Sequence, residues 1–108
     1  MNIDLGSVEV VDNKAEQRYE AEVNGELAIV EYQLHGDRIT FRHTEVPSDL
    51  EGHGLAAKLA QTVLDDARAR HLEVVPICPY IASYIKRHQE YLDLVAPEYR
   101  HNVQRKGR

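Results

Sequence analysis

The sequence predicts a single α/β domain. Three observations carry this reading. The first half alternates apolar and polar residues between tight-turn signals. The middle carries one long stripe of apolar residues spaced four apart. A short β-branched run follows that stripe. Strand, helix and strand in succession make a crossover, which sets its two strands parallel and is almost always right-handed.

Taken in order, Arg18 to Val23 alternates, with Tyr19, Ala21 and Val23 on one face. Asn24-Gly25 follows, the strongest short hairpin signal. Leu27 to Leu34 continues the sheet through Ala28, Val30, Tyr32 and Leu34, and His35-Gly36-Asp37 turns the chain again. Ile39 to Val46 is the next strand, with Ile39, Phe41 and His43 expected on one side, and Pro47 stops it. Val8 to Val11 is a candidate edge strand. From about Gly54 the period becomes helical, because Leu55, Leu59, Val63 and Ala67 fall on one stripe opposite Lys58, Gln61 and Asp65. Leu72 to Ile77 reads as a buried strand. Pro79 suits the first position of a second helix, whose buried side is expected to be Ile81, Tyr84, Ile85 and His88. One domain covers residues 1–108, with its core from about 16 to 95 and a loose basic tail over 102–108.

A chain of 108 residues has room for one modest core, which excludes a full doubly wound dinucleotide fold or a TIM barrel. The 13 Lys and Arg against 18 Asp and Glu give a formal charge of −5 without a basic stripe. That balance argues against nucleic acid as a partner; it serves solubility and tilts mildly towards cationic partners. The single cysteine, Cys78, excludes an intrachain disulfide. No apolar run reaches membrane-spanning length, and Met1 to Val11 has no secretory pattern, so a cytoplasmic protein with no membrane partner is expected. The histidines outside the candidate site lack metal-ligand spacing and one cysteine cannot build a thiolate site, so no metal is expected.

Glu51-Gly52-His53-Gly54-Leu55-Ala56 lies between a strand and the long helix. Two glycines let backbone N–H groups approach a ligand, and the helix N-terminus adds unpaired donors and partial positive charge. Such a turn suits phosphate. The plainer alternative is a strand-to-helix turn with Ser48 and Glu51 as a capping box. Walker A is excluded because no Gly-Lys-Ser/Thr follows. A Rossmann fragment fits poorly: six residues, Pro47 to Gly52, intervene where the turn should come straight off the strand, and Glu73 begins the next strand instead of ending it.

Three blocks occur in order: His43-Thr44-Glu45-Val46-Pro47, the glycine turn, and Val75-Pro76-Ile77-Cys78-Pro79-Tyr80. This combination resembles a small single-domain branch of the GCN5-related N-acetyltransferases, over about Arg18 to Val95. The resemblance implies a minimal acetyltransferase fold: an antiparallel meander, then β-α-β-α, with the parallel pair splayed to hold acetyl-CoA. Gly52, His53, Gly54, Leu55 and Ala56 would then meet the pyrophosphate, and Val46 would pair its backbone with pantetheine. Glu51 departs from the wider pattern, which has a cationic or amide residue there; Lys58 is expected to offset it.

The chemistry implied is acetyl transfer from acetyl-CoA to an unidentified amine, with a non-catalytic acyl-CoA-binding module as the alternative. Cys78, at the N-cap of the second helix, is a candidate acid or acetyl carrier, or else a small buried hydrophobe. His43 is a candidate base for the attacking amine, or else a hydrogen-bonded core histidine. Distorted backbone near Thr44 to Val46 is expected to stabilise the oxyanion. Ile85 falls where many family members carry a catalytic tyrosine, while Tyr80 and Tyr84 lie nearby without matching. A monomer or weak dimer is expected.

Overall fold

The computed structural model describes residues 3–105. Five strands, β1 (Val10–Asn13), β2 (Arg18–Val23), β3 (Glu26–His35), β4 (Arg38–Glu45) and β5 (Glu73–Pro76), form one sheet in that spatial order. β1 to β4 run as an antiparallel meander, and β5 pairs with β4 in parallel. The helix α1 (Leu55–Ala69) makes the crossover, and α2 (Pro79–Arg87) follows β5. This is the α/β architecture expected, with the edge strand two residues further along than Val8 to Val11.

Burial alternates cleanly along the strands. Tyr19, Ala21, Ala28, Val30, Tyr32, Ile39, Phe41 and Val74 are buried in one cluster with the apolar stripe of α1. Ile81, Tyr84 and Ile85 bring α2 into the same core, while His88 is half-buried and stacks on Tyr84 at 4.1 Å. Both helices therefore cover one face of the sheet. Arg18, Glu20, Glu31, Gln33 and Thr40 point the other way and are only partly buried. The far half of α1 is tied to its surroundings by tyrosine–carboxylate bonds: Tyr19 donates to Asp66, and Tyr91 donates to Asp65 at 2.8 Å. Nearby, Tyr32 donates to Asp12 of β1 at 2.6 Å.

Two departures from the period-2 pattern shape the molecule. Along the β3–β4 ladder, Tyr32 faces Phe41 but Glu31 faces His43, so Arg42 is an extra residue in β4. A bulge of this kind shifts the phase of every side chain beyond it. Thr44, opposite the buried Val30, turns to the helix-covered face, and His43, beside Glu31, turns to the open face. His43 thus does not share a side with Ile39 and Phe41, as simple alternation predicts; its side chain is 53% exposed.

The second departure is the early end of β5. The parallel ladder stops where Phe41 meets Pro76, and β4 runs on through Arg42 to Glu45 paired with β3 but no longer with β5. Proline has no N–H to extend the ladder. The N–H of Cys78 makes one more bond to the Phe41 carbonyl at 2.8 Å before the chain turns into α2 at Pro79.

The tail differs from expectation. A short helix α3 (Arg100–Val103) buries Val103 completely, and Gln89 bonds the Val103 carbonyl and the Arg105 N–H. Residues 102–105 are thus docked, and the rest of the expected loose tail lies outside the described residues. Among the described residues, no helix is long and apolar enough to cross a membrane. Nor do His, Cys, Asp and Glu side chains among them gather in a group able to hold a metal ion.

Candidate functional site

The free end of β4 and the first turn of α1 flank a groove of about 430 Å³. Its walls are Thr44 and Val46 after the bulge, Leu50 and Glu51 of the connection, Gly52 and Gly54 to Ala57 of the turn, and Tyr80 of α2. Of the residues expected to meet acetyl-CoA, Val46, Gly52, Gly54, Leu55 and Ala56 line this groove. His53 sits in the same turn, half-buried, without lining it.

The glycine requirement is conformational. Gly52 has φ +82° and Gly54 φ +83°, in the left-handed region that other L-residues enter only at a cost. Gly54 is the N-cap of α1, and no side chain caps the helix. The capping-box alternative is therefore not realised: Ser48 begins a separate 3-10 turn, Ser48–Leu50, and Glu51 is exposed. The first α1 backbone bond runs from the Lys58 N–H to the Gly54 carbonyl at 3.0 Å. Leu55, Ala56 and Ala57, ahead of it, have no intrahelical acceptor. Their amides and the positive end of the helix dipole face a groove of anion-binding character.

Glu51 on the groove wall opposes that character. Lys58, expected to compensate, is engaged elsewhere: its Nζ donates to the Leu5 carbonyl. Leu5 also lies against Gly54, with its Cδ1 3.1 Å from where a Cβ would stand. The segment before β1 is thus packed on the glycine turn. No signal in the sequence marks that contact.

The two candidate catalytic residues stand on different sides of the sheet. His43 is on the open face, with its Nε2 3.3 Å from Glu45 Oε2. Cys78 is the N-cap of α2 and only 2% exposed, inside the core cluster and behind the groove wall. Its Sγ lies 3.2 Å from Thr44 Oγ1, and Thr44 lines the groove. Thr44 is the residue that sequence reasoning passed over, because simple alternation places it on the opposite face. Tyr80 lines the groove, whereas Tyr84 is buried against His88 and Tyr91, and burial raises its pKa. Ile85 is fully buried.

Comparison with known proteins bears on the family and the fold. Residues 18–94 match the family model described as GCN5-related N-acetyl-transferase. Protein NATD1 of Mus musculus is 31% identical over 97 residues, covering 85% of this chain and 88% of its own. Protein NATD1 of Homo sapiens is 30% identical over 95 residues, covering 83% and 84%. An NMR solution structure from Staphylococcus aureus, described as GCN5-like, superposes with a TM-score of 0.64. It covers 82% of this chain and 87% of its own at 24% identity, a likeness of fold.

Proposed function

The chain belongs to the GCN5-related N-acetyltransferase family, and from that premise we propose that it transfers an acetyl group from acetyl-CoA to an amine. The observation that carries the proposal is the groove between the end of β4 that β5 leaves without a partner and the uncapped, glycine-led N-terminus of α1. A diphosphate suits the free amides of that turn. Beyond Phe41 the backbone of β4 has no β5 partner. That leaves the stretch through Val46 available to the amide groups of an extended pantetheine arm, in the manner of an added strand.

The donor then enters from the helix side and ends at Thr44, beside the bulge. An acceptor reaches the same point across the open face, where His43 stands. There His43 takes the proton of the attacking amine, and Glu45 beside it steadies the resulting imidazolium. The −5 charge and the glutamates of that face favour a cationic amine. In this reading backbone N–H groups near the bulge meet the oxyanion. The setting proposed for this reaction is the cytoplasm, without a metal.

A second reading has specific support: Glu51 lines the groove, and a fully buried isoleucine, Ile85, stands at the family's tyrosine position. These favour a module that binds acyl-CoA without turnover. Calorimetry with acetyl-CoA, and with NAD as control, tests the shared premise. Binding of acetyl-CoA below millimolar concentration is expected; its absence refutes both readings. Release of free CoA in the presence of a panel of primary amines then separates enzyme from module.

A further inference from the structure

We propose that Thr44 is a catalytic residue of this groove and that Cys78 acts only through it, as a positioning residue. The inference rests on the acetyl-transfer reading and goes beyond it in assigning the acid. The bulge at Arg42 turns Thr44 towards the helices and onto the groove wall. Cys78 does not line the groove, is 2% exposed, and has its Sγ 3.2 Å from Thr44 Oγ1. A buried thiol behind a threonine hydroxyl cannot be the atom that meets a thioester, but it can donate to that hydroxyl. The hydroxyl keeps its own proton for the groove. The tie between Cys78 N–H and the Phe41 carbonyl at 2.8 Å holds the sulfur at this depth.

The step balances as follows. The amine nitrogen forms a bond to the acetyl carbon, and the C–S bond of the thioester breaks with its electron pair on sulfur. The Thr44 Oγ1–H proton passes to that sulfur, giving free CoA thiol. The Cys78 S–H proton passes to Thr44 Oγ1, leaving a thiolate. The proton lost by the amine goes to His43. Exchange with water returns His43 and Cys78 to their starting states. No acetyl-cysteine forms.

Two readouts on the intact chain test this. The first needs no acceptor: alkylation by N-ethylmaleimide followed by intact mass, with Cys78 as the only thiol. Wild-type modification is expected to be slow, and Thr44→Ala is expected to raise its rate about tenfold by opening the groove to the sulfur. Equal rates in wild type and Thr44→Ala overturn the proposal, since the thiol would then reach solvent by itself. The second readout is kinetic. Thr44→Val is expected to lower kcat about a hundredfold, the lower end for loss of a general acid, with KM for acetyl-CoA unchanged. Thr44→Ser restores activity, and Thr44→Val with Cys78→Ala falls no further than Thr44→Val alone. A Thr44→Val protein of unchanged melting temperature and wild-type kcat overturns it, as does an acetylated Cys78 on the mass spectrum. If the wild-type chain turns over no amine, the acetyl-transfer reading fails, and with it the catalytic role assigned to Thr44. The alkylation rates still report separately whether Thr44 screens the thiol.

Discussion

Replacing Gly54 by alanine should cost both stability and ligand binding, by amounts that can be worked out. Gly54 has φ +83° and ψ 7°, and holding an L-residue in the left-handed region costs about 1–2 kcal/mol. The new Cβ would also stand 3.1 Å from Leu5 Cδ1, closer than ordinary contact, so Leu5 must shift. Gly52 provides the control: its φ is +82°, but nothing lies within 4 Å of its Cβ position. Gly52→Ala therefore pays the backbone cost alone, and Gly54→Ala pays it with the displacement of Leu5 added. For a domain of this size, about 1 kcal/mol lowers the melting temperature by roughly 4–8 °C. Gly54→Ala should thus melt roughly 5–15 °C below wild type, and Gly52→Ala somewhat less far below. Thermal denaturation followed by circular dichroism reads this directly, and calorimetry with CoA should show weaker binding in both variants. A Gly54→Ala protein melting within about 1 °C of wild type would refute the conformational argument. Equal melting of the two variants would refute the part assigned to Leu5.

Three further outcomes follow from other contacts. Burial first, then the bond to Asp12, pushes the Tyr32 hydroxyl up to about 12, and burial with a carboxylate partner also raises Tyr19 and Tyr91. A raised folded pKa means the stabilisation is complete below the unfolded value, about 10, and is lost as pH rises through the folded one. Urea melts at rising pH should show stability falling from about pH 10 upward, less steeply in Tyr32→Phe; a flat profile to pH 12 would contradict this. Lys58→Met removes the bond to the Leu5 carbonyl, so it should lower the melting temperature while leaving CoA affinity, measured by calorimetry, within about twofold of wild type. A large loss of affinity would mean that Lys58 leaves Leu5 for the phosphates. Val103→Ala removes two fully buried methyl groups and should cost about 1.5–2.5 kcal/mol in denaturant titration, where a loose tail would cost nothing.

Much of the candidate site was legible because it depends on residue type and local order. Gly52 and Gly54 announce a turn with positive φ, and Pro79 announces the start of α2. The stripe Leu55, Leu59, Val63 and Ala67 shows which side of α1 is buried. The docking of residues 102–105 was not legible because Val103 is one apolar residue among polar ones, and Gln89, which bonds its carbonyl, is too far away in sequence for a local pattern to connect them. The engagement of Lys58 by Leu5 is hidden for the same reason, across 53 residues.

The face assignments within β4 are the sharpest case. Period 2 along Ile39, Phe41 and His43 is a sound rule while every residue pairs with one partner. The extra residue at Arg42 leaves composition and apolar pattern untouched, because it is visible only as a mismatch with β3. That mismatch exchanges the places of His43 and Thr44. The sequence by itself determined the order of strands and helices and the glycine turn that leads α1. Tertiary structure alone decided which residues of β4 face the groove, because a strand's side-chain phase is set by its hydrogen-bonded neighbour as well as by its own residues.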